Sequence, residues 1–249
     1  MSGHSKWSQI KHKKAKTDLA RGKAFSKLIR LITVSAREGG GNLENNSRLR
    51  LVVQKAREMN MPQENIEKAI KKGTGELEGV NYEEVAYEGY GPGGVAIMVE
   101  ATTDNRNRTT AEIRHLFNKH GGSLGESGCV SWVFERKGLI SFERGKVDEE
   151  EIMMIAIEAG AEDVRTGETT LDIITAADDF EKVRAAIDQQ GLEYAVAQVT
   201  MIPKTTVNLD EQQARQVLKL IDLLEDHDDV QDVYANFEIA DEVLNSIQD

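Results

Sequence analysis

The chain has 249 residues, 39% hydrophobic and 30% charged, with a formal charge of −12 and one cysteine, Cys129. A single cysteine excludes an internal disulfide framework and suits a reducing compartment, and no apolar run approaches the ~20 residues of a membrane span. The charge is strongly segregated: residues 1–75 carry 17 Lys/Arg against 6 Asp/Glu, a net of +11, and the remaining residues carry a net of −23. A basic module joined to acidic ones points to a polyanionic partner, despite the low overall isoelectric point.

The chain opens on a basic arm, MSGHSKWSQIKHKKAK, with no carboxylate before Asp18. Lys6, Lys11, Lys13, Lys14 and Lys16 offer cations for phosphates, and Trp7 offers an indole face on which a base can stack. A solvated, frayed terminus is the plainer reading of such a stretch. From Thr17 and Asp18 a helical pattern follows, with Phe25, Leu28, Ile29, Ile32 and Ala36 on one face and Gly39–Asn42 as its stop. Asn46 and Ser47 cap a second helix carrying Leu49, Val52, Val53 and Ala56. Pro62 stands at the first helical position of a third, which buries Ile66, Ala69 and Ile70 and ends at Lys71-Lys72-Gly73. Three short helices make a small bundle.

Beyond Gly79 the period changes from helical to alternating. Glu84–Glu88 and Val95–Val99 read as strands joined across Gly89–Gly94, and Thr109-Thr110-Ala111-Glu112 reads as a capping box opening a helix with Ile113, Leu116 and Phe117 inward. Val130, Trp132 and Phe134 read as the alternating face of the next strand. Residues 135–204 then give β-α-β-β-α-β, the ferredoxin-like order. Residues 79–134 and 205–249 each lack enough elements to cover a sheet face, so together they are expected to form a second α+β sandwich into which 135–204 is inserted. The predicted organisation is therefore a helical domain over 1–78, a discontinuous α+β domain over 79–134 plus 205–249, and an inserted ferredoxin-like domain over 135–204.

Catalytic chemistry is not indicated. Cys129 has no capped helix behind it to lower its pKa, and reads as a small core thiol. His115 and His120 are five apart and diverge on a helix, His4 and His12 sit among ammonium groups, and Glu225–Asp229 lacks the spacing of a calcium loop and reads as a solvated turn. No catalytic residue, metal or cofactor is expected. Gly89–Gly94 is followed by a strand rather than a helix, which argues against a phosphate-cradling loop. Thr103–Thr109 is different, because Arg106 and Arg108 precede a helix N-terminus that already favours an anion. Two readings stand there: a second contact to phosphate or RNA, or ordinary capping with two salt-bridged arginines.

Three stretches together resemble the YebC family: Gly3-His4-Ser5-Lys6-Trp7 with Ile10–Lys14, Thr103–Thr109, and Gly122-Ser123-Leu124-Gly125 with Gly128-Cys129-Val130. The similarity runs in order along the chain. Mitochondrial members of that family are known as translational activators of cytochrome c oxidase. The resemblance implies a helical N-terminal domain, two related α/β domains around a cleft, and a non-enzymatic role in gene expression. Bacterial members are described as DNA-binding transcriptional regulators, and others look like ribosome-associated factors that help translate difficult sequences. The motif begins at residue 3, from which a bacterial, cytoplasmic member without a transit peptide is expected.

The expected function is a monomeric adaptor that binds rRNA or the ribosome. Lys6, Trp7, Lys11, His12, Lys13, Lys14, Lys16, Arg21, Lys23 and Lys27 form the docking set, and Arg106 and Arg108 a second contact. A flexible lysine comb with one indole suits structured or single-stranded RNA. The alternative is a transcription factor on duplex DNA, whose reading helix would be the one carrying Arg48, Arg50, Gln54, Lys55 and Arg57. No membrane and no small-molecule cofactor enter either reading.

Overall fold

The computed structural model describes residues 18–167, 169–240 and 243, the side chains of 18–21 excepted. An N-terminal three-helix domain is followed by two α/β domains, one inserted in the other. The helical domain comprises α1 (Asp18–Gly39), α2 (Ser47–Glu58) and α3 (Gln63–Thr74). Leu28, Ile32, Leu49, Val53, Ile66 and Ala69 pack together as its core. Asn46 explains where α2 starts: its Oδ1 accepts from Leu49 N, while its Nδ2 donates to the carbonyls of Ser35 and Gly40. One side chain thus caps α2 and ties it to the end of α1. Gly73 explains how closely α3 meets α1, since a Cβ there would lie 2.4 Å from the Thr33 carbonyl and 2.7 Å from Ala36 Cβ.

The outer α/β domain is built from β1 (Glu83–Tyr90), β2 (Ala96–Thr103), α4 (Arg106–Lys119) and β3 (Ser123–Leu124), then α7 (Glu211–Asp226) and β9 (Val230–Ala235) after the insertion. Its sheet has the order β3-β1-β2-β9, antiparallel at every pairing. The turn between β1 and β2 carries Gly93 and Gly94 at φ 71° and 77°, a conformation that favours glycine. Alternation places Val85, Tyr87, Ile97, Val99 and Val233 against α4 and α7, whose Ile113, Phe117, Val217 and Ile221 complete the core. A short parallel pair, β8 (Val207–Asn208) and β10 (Phe237–Glu238), closes one end.

The inserted domain comprises β4 (Phe134–Glu143), α5 (Glu149–Ala159), β5 (Asp163–Thr166), β6 (Thr170–Ala176), α6 (Phe180–Gln189) and β7 (Val196–Pro203). Its sheet order, β5-β6-β4-β7, with two helices on one face is the ferredoxin-like arrangement. The outer domain reaches the same two layers through a different strand order.

Two local expectations change. Helix α4 opens at Arg106 rather than at the Thr109 box, because Asn105 caps it by accepting from Arg108 N at 3.1 Å. Thr109 is therefore fully buried inside the first turns. The expected strand through Val130, Trp132 and Phe134 begins only at Phe134, because Ser131–Val133 form a 3-10 turn. That turn places Trp132 outward at 66% exposure, with its Nε1 donating to the Cys129 carbonyl at 3.0 Å. Glu88 holds the preceding loop by accepting from Gly128, Val130 and Ser131 N–H groups at 2.7–2.8 Å. Burial alone would raise the Glu88 carboxyl, yet these three donors keep it below the ordinary carboxylate range.

Replacing Gly73 with alanine is expected to force α3 off α1 and cost about 1–3 kcal/mol. The check is the urea midpoint, which should fall with the slope unchanged.

Candidate nucleic-acid interface

Helix α1 presents Lys23, Lys27, Arg30 and Arg37 at spacings that keep them on one stripe. In the fold this stripe lies against the outer α/β domain. Lys23 Nζ pairs with Asp226 at 2.5 Å, and Lys27 Nζ donates to the Glu225 carbonyl at 2.7 Å. Arg30 donates to the carbonyls of Asp228 at 2.9 Å and Thr102 at 3.3 Å and pairs with the Asp229 carboxylate. Its guanidinium also lies 5.4 Å from the centroid of the Tyr82 ring. Arg37 donates to the Tyr82 carbonyl at 2.7 Å. The acidic turn expected to be solvated is thus the docking point for α1, and Asp229 within it is 2% exposed.

Asp229 is held from two domains. Besides Arg30 it receives Thr109 Oγ1 at 2.6 Å, Arg108 at 2.7 Å and Thr103 Oγ1 at 3.3 Å. Its backbone N–H donates to His227 Nδ1 at 3.1 Å, and His227 Nε2 lies 2.9 Å from Glu112. Burial alone would push the Asp229 carboxyl up, but the Thr109, Arg108 and Arg30 donors hold it at about 2. Arg108 also pairs with Asp104 at 2.8 Å, and its guanidinium is raised first by the Asp229 hydrogen bond and then by Asp104.

Glu112, His227 and Asp229 form the one trio among the described residues that brings three potential metal-ligand atoms together. Its chemistry is that of an ion-pair network instead. His227 Nδ1 is already an acceptor for a backbone donor, and two guanidiniums take the Asp229 oxygens.

Arg106 is exposed, with no side-chain partner among the described residues, so the Thr103–Thr109 loop divides its arginines between an internal clamp and solvent. Lys6, Trp7, Lys11, His12, Lys13, Lys14 and Lys16 lie outside the described residues, as does the side chain of Arg21. Sequence reasoning did not single out Arg30, and it read Asp229 only as part of a solvated acidic turn. A signal existed in the helical spacing of Lys23, Lys27 and Arg30, but its partner lies about 200 positions away in the sequence.

The side chains expected to read duplex bases from α2 are largely engaged. Arg48 pairs with Glu84 and, at 2.6 Å, with Glu38; Arg50 donates to the Leu43 and Glu44 carbonyls; Gln54 donates to Glu58. Lys55, Arg57, Lys71 and Lys72 are exposed, with no ion pair among the described residues.

Comparison with known proteins bears on both ends of this arrangement. Residues 5–76 match the family described as the TACO1/YebC protein N-terminal domain, and residues 82–237 match the TACO1/YebC second and third domain. The chain belongs to the TACO1/YebC family. A relative from Halothermothrix orenii is 58% identical over 99% of each chain, and one from Dictyoglomus turgidum is 57% identical over 99% of this chain and all of the other. Each is named a probable transcriptional regulatory protein. The crystal structure of a conserved hypothetical protein from Aquifex aeolicus, 57% identical, superposes with a TM-score of 0.82, covering 96% of this chain and 98% of that one. In this YebC-family chain, as described, the helical domain is fastened to the outer α/β domain through Arg30, Asp229 and Arg108.

A carboxyl whose pKa falls on folding stabilises the folded state above its unfolded value, and the effect is lost as pH falls through its folded value. Asp229 is therefore expected to contribute about 2 kcal/mol at neutral pH, fading between about pH 4 and pH 2. Asp229→Asn should leave Arg30 and Arg108 without their counter-charge, cost about 3–5 kcal/mol, and remove that part of the acid limb. Urea unfolding of both proteins across pH 2–6 measures each effect.

Proposed function

We propose that this protein regulates gene expression by docking its basic N-terminal region on RNA, most directly ribosomal RNA, as a translation factor. Curated relatives are named probable transcriptional regulatory proteins, which supports a regulator of gene expression at the coarser level. The observation that carries the RNA reading is the internal engagement of Arg48, Arg50 and Gln54 on α2. With three of its five candidate reading side chains so engaged, leaving Lys55 and Arg57 exposed with no ion pair among the described residues, α2 is poorly supplied to read a major groove. The cations proposed to meet phosphate are the arm residues Lys6, Lys11, Lys13, Lys14 and Lys16, with Trp7 and His12 among them, and Arg21, while Lys55, Arg57, Lys71 and Lys72 stand exposed on the helical domain. Arg106 supplies a candidate second contact.

Lys23 and Lys27 enter this reading with a different part from Lys11 or Lys13. Their ammonium groups are committed to the Glu225–Asp226 turn, so they hold α1 against the outer α/β domain. The two acidic α/β domains fit the same picture, because a net of −23 over residues 76–249 repels bare duplex at long range. A surface that mixes RNA with protein is a better match. The protein acts as a monomer in this reading, and no membrane partner enters it. Among the described residues no helix is long and apolar enough to cross a membrane.

The second reading, a transcription factor on duplex DNA, rests on the names of the relatives. Co-sedimentation with ribosomes at physiological salt, set against footprinting on promoter DNA, separates the two. Ribosome association with no defined duplex footprint is expected; a protected duplex site without ribosome association overturns the proposal. If about six phosphates are neutralised, the affinity for single-stranded RNA should fall with a log–log salt slope of about −4. Exchanging Lys11, Lys13 and Lys14 together for glutamine should flatten that slope by about 2, measured by fluorescence anisotropy over a salt series.

A further inference from the structure

Where α1 and α2 lean over the open face of the outer sheet they do not meet it completely. A cavity of about 380 Å³ remains, floored by β1, β2 and β9 and walled by Leu31 and Arg48. That volume lies in the range of small-molecule sites. Its floor is unusually polar for a sheet face beneath packed helices. Strand register sets Glu100 directly opposite Asp232 on the neighbouring strand, and like charges so placed repel. Asp232 is half-buried and has no hydrogen bond or ion pair among the described residues. Among the described residues Glu100 accepts one hydrogen bond, from the Tyr234 hydroxyl at 3.2 Å, and Arg136 is the cation that favours its charged form. Burial first, and Asp232 second, raise the Glu100 carboxyl above the ordinary range.

Two further groups around the cavity are incomplete. Thr102 is 1% exposed and its Oγ1 has no hydrogen-bond partner among the described residues; Gln231 Nε2 is likewise shut off from solvent without an acceptor among them. Gln231 is the extra residue of a β-bulge, since Glu100 pairs with Asp232 and the next residue, Ala101, pairs with Val230. A bulge re-aims side chains, and here it brings both Gln231 and Asp232 to the cavity. A buried donor and a buried hydroxyl without partners, beside two facing carboxylates of which only Glu100 has a hydrogen bond, describe a ligand by what they lack.

We propose that this cavity binds a small organic amine, its ammonium group lying between Glu100 and Asp232 and an adjacent oxygen accepting from Gln231. The ammonium also supplies a donor to Thr102 Oγ1. A metal ion is the poorer match. Among the described residues no third His, Cys, Asp or Glu ligand converges with these two carboxylates, and the other polar groups at the cavity are an amide and a hydroxyl. The Arg48–Glu84 pair at the rim joins the helical domain to the sheet, so a bound amine would sit at the junction of the two domains.

The test is an NMR-monitored titration of the full chain with ethanolamine as probe, alongside butylamine, which lacks the oxygen, and ethylene glycol, which lacks the charge. Ethanolamine is expected to saturate in the millimolar range, butylamine to bind more weakly, and glycol to leave the spectrum unchanged. Glu100→Gln, which keeps an acceptor for Tyr234, and Asp232→Asn should each weaken ethanolamine about tenfold or more. Both variants should melt at or above the parent temperature, because each removes one of two repelling charges. Exchanging Glu150 and Glu151 on α5 for glutamine should leave binding unaltered. Absence of saturation, equal binding by the Glu100 and Asp232 variants, equal affinity for butylamine, or a lowered melting temperature in Asp232→Asn would each overturn the proposal.

Discussion

The arrangement of domains depends on one buried carboxylate. Asp229 closes the turn between α7 and β9, and its oxygens are shared among Arg30 from the helical domain, Arg108 from α4, and two threonine hydroxyls. A carboxylate so deeply placed is tolerable because both oxygens accept hydrogen bonds, Oδ1 from Arg30 and Oδ2 from Arg108, Thr109 and Thr103, two of the donors being cationic. The converse also holds. Arg30 reaches the seam between domains because Asp229 is there to receive it. Remove that charge and the helical domain loses its deepest polar contact with the body, leaving rim pairs such as Lys23–Asp226 that solvent weakens.

This accounts for a charge pattern that otherwise reads only outward. A +11 segment followed by a −23 segment suggests a partner elsewhere, yet part of the attraction is spent within the chain. Lys23, Lys27 and Arg30 meet the acidic turn at Glu225–Asp229, and Arg48 bridges Glu38 and Glu84. The basic residues are therefore of two kinds. Those on the inner stripe of α1 set the posture of the helical domain. Those ahead of Asp18 carry the proposed contact with RNA.

Much of the fold was legible in the sequence because the signals were local. Asn46 before an apolar-periodic run is such a short-range signal, and the structure uses it. Pro62 falls one place outside α3 as its N-cap, and α3 runs through the expected stop at Gly73 to end at Thr74, with Gly75 in the left-handed conformation. The β-α-β-β-α-β order of the inserted domain is likewise a succession of periods. What was not legible depends on contacts far apart in the chain. Glu225–Asp229 reads as a solvated turn until α1 is laid across it, and Trp132 reads as an inward strand residue until Glu88 gathers the N–H groups before it into a 3-10 turn. The start of α4 was misplaced for a smaller reason. Asn105 and Thr109 are both competent caps, and buried Asp229 takes the Thr109 hydroxyl, leaving Asn105 to cap the helix. Of the candidate site, the kind of partner could be read from charge. The allocation of individual cations could not, because it needed the acidic surface in place.

The insertion carries a consequence for the order of events during synthesis. β4 and β7 are antiparallel neighbours, with Phe134 paired to Pro203, so the inserted sandwich has all four strands once residue 203 has emerged. The outer sheet, begun some fifty residues earlier with β1 and β2, still lacks α7 and β9 at that moment. Its apolar face must wait for residues 211–235, and Asp229 arrives among them. The helical domain, first to be made, is thus the last to find its seat. Growth from the N-terminus favours completion of the inserted module first, then the sheet that embraces it, then the seam at Arg30.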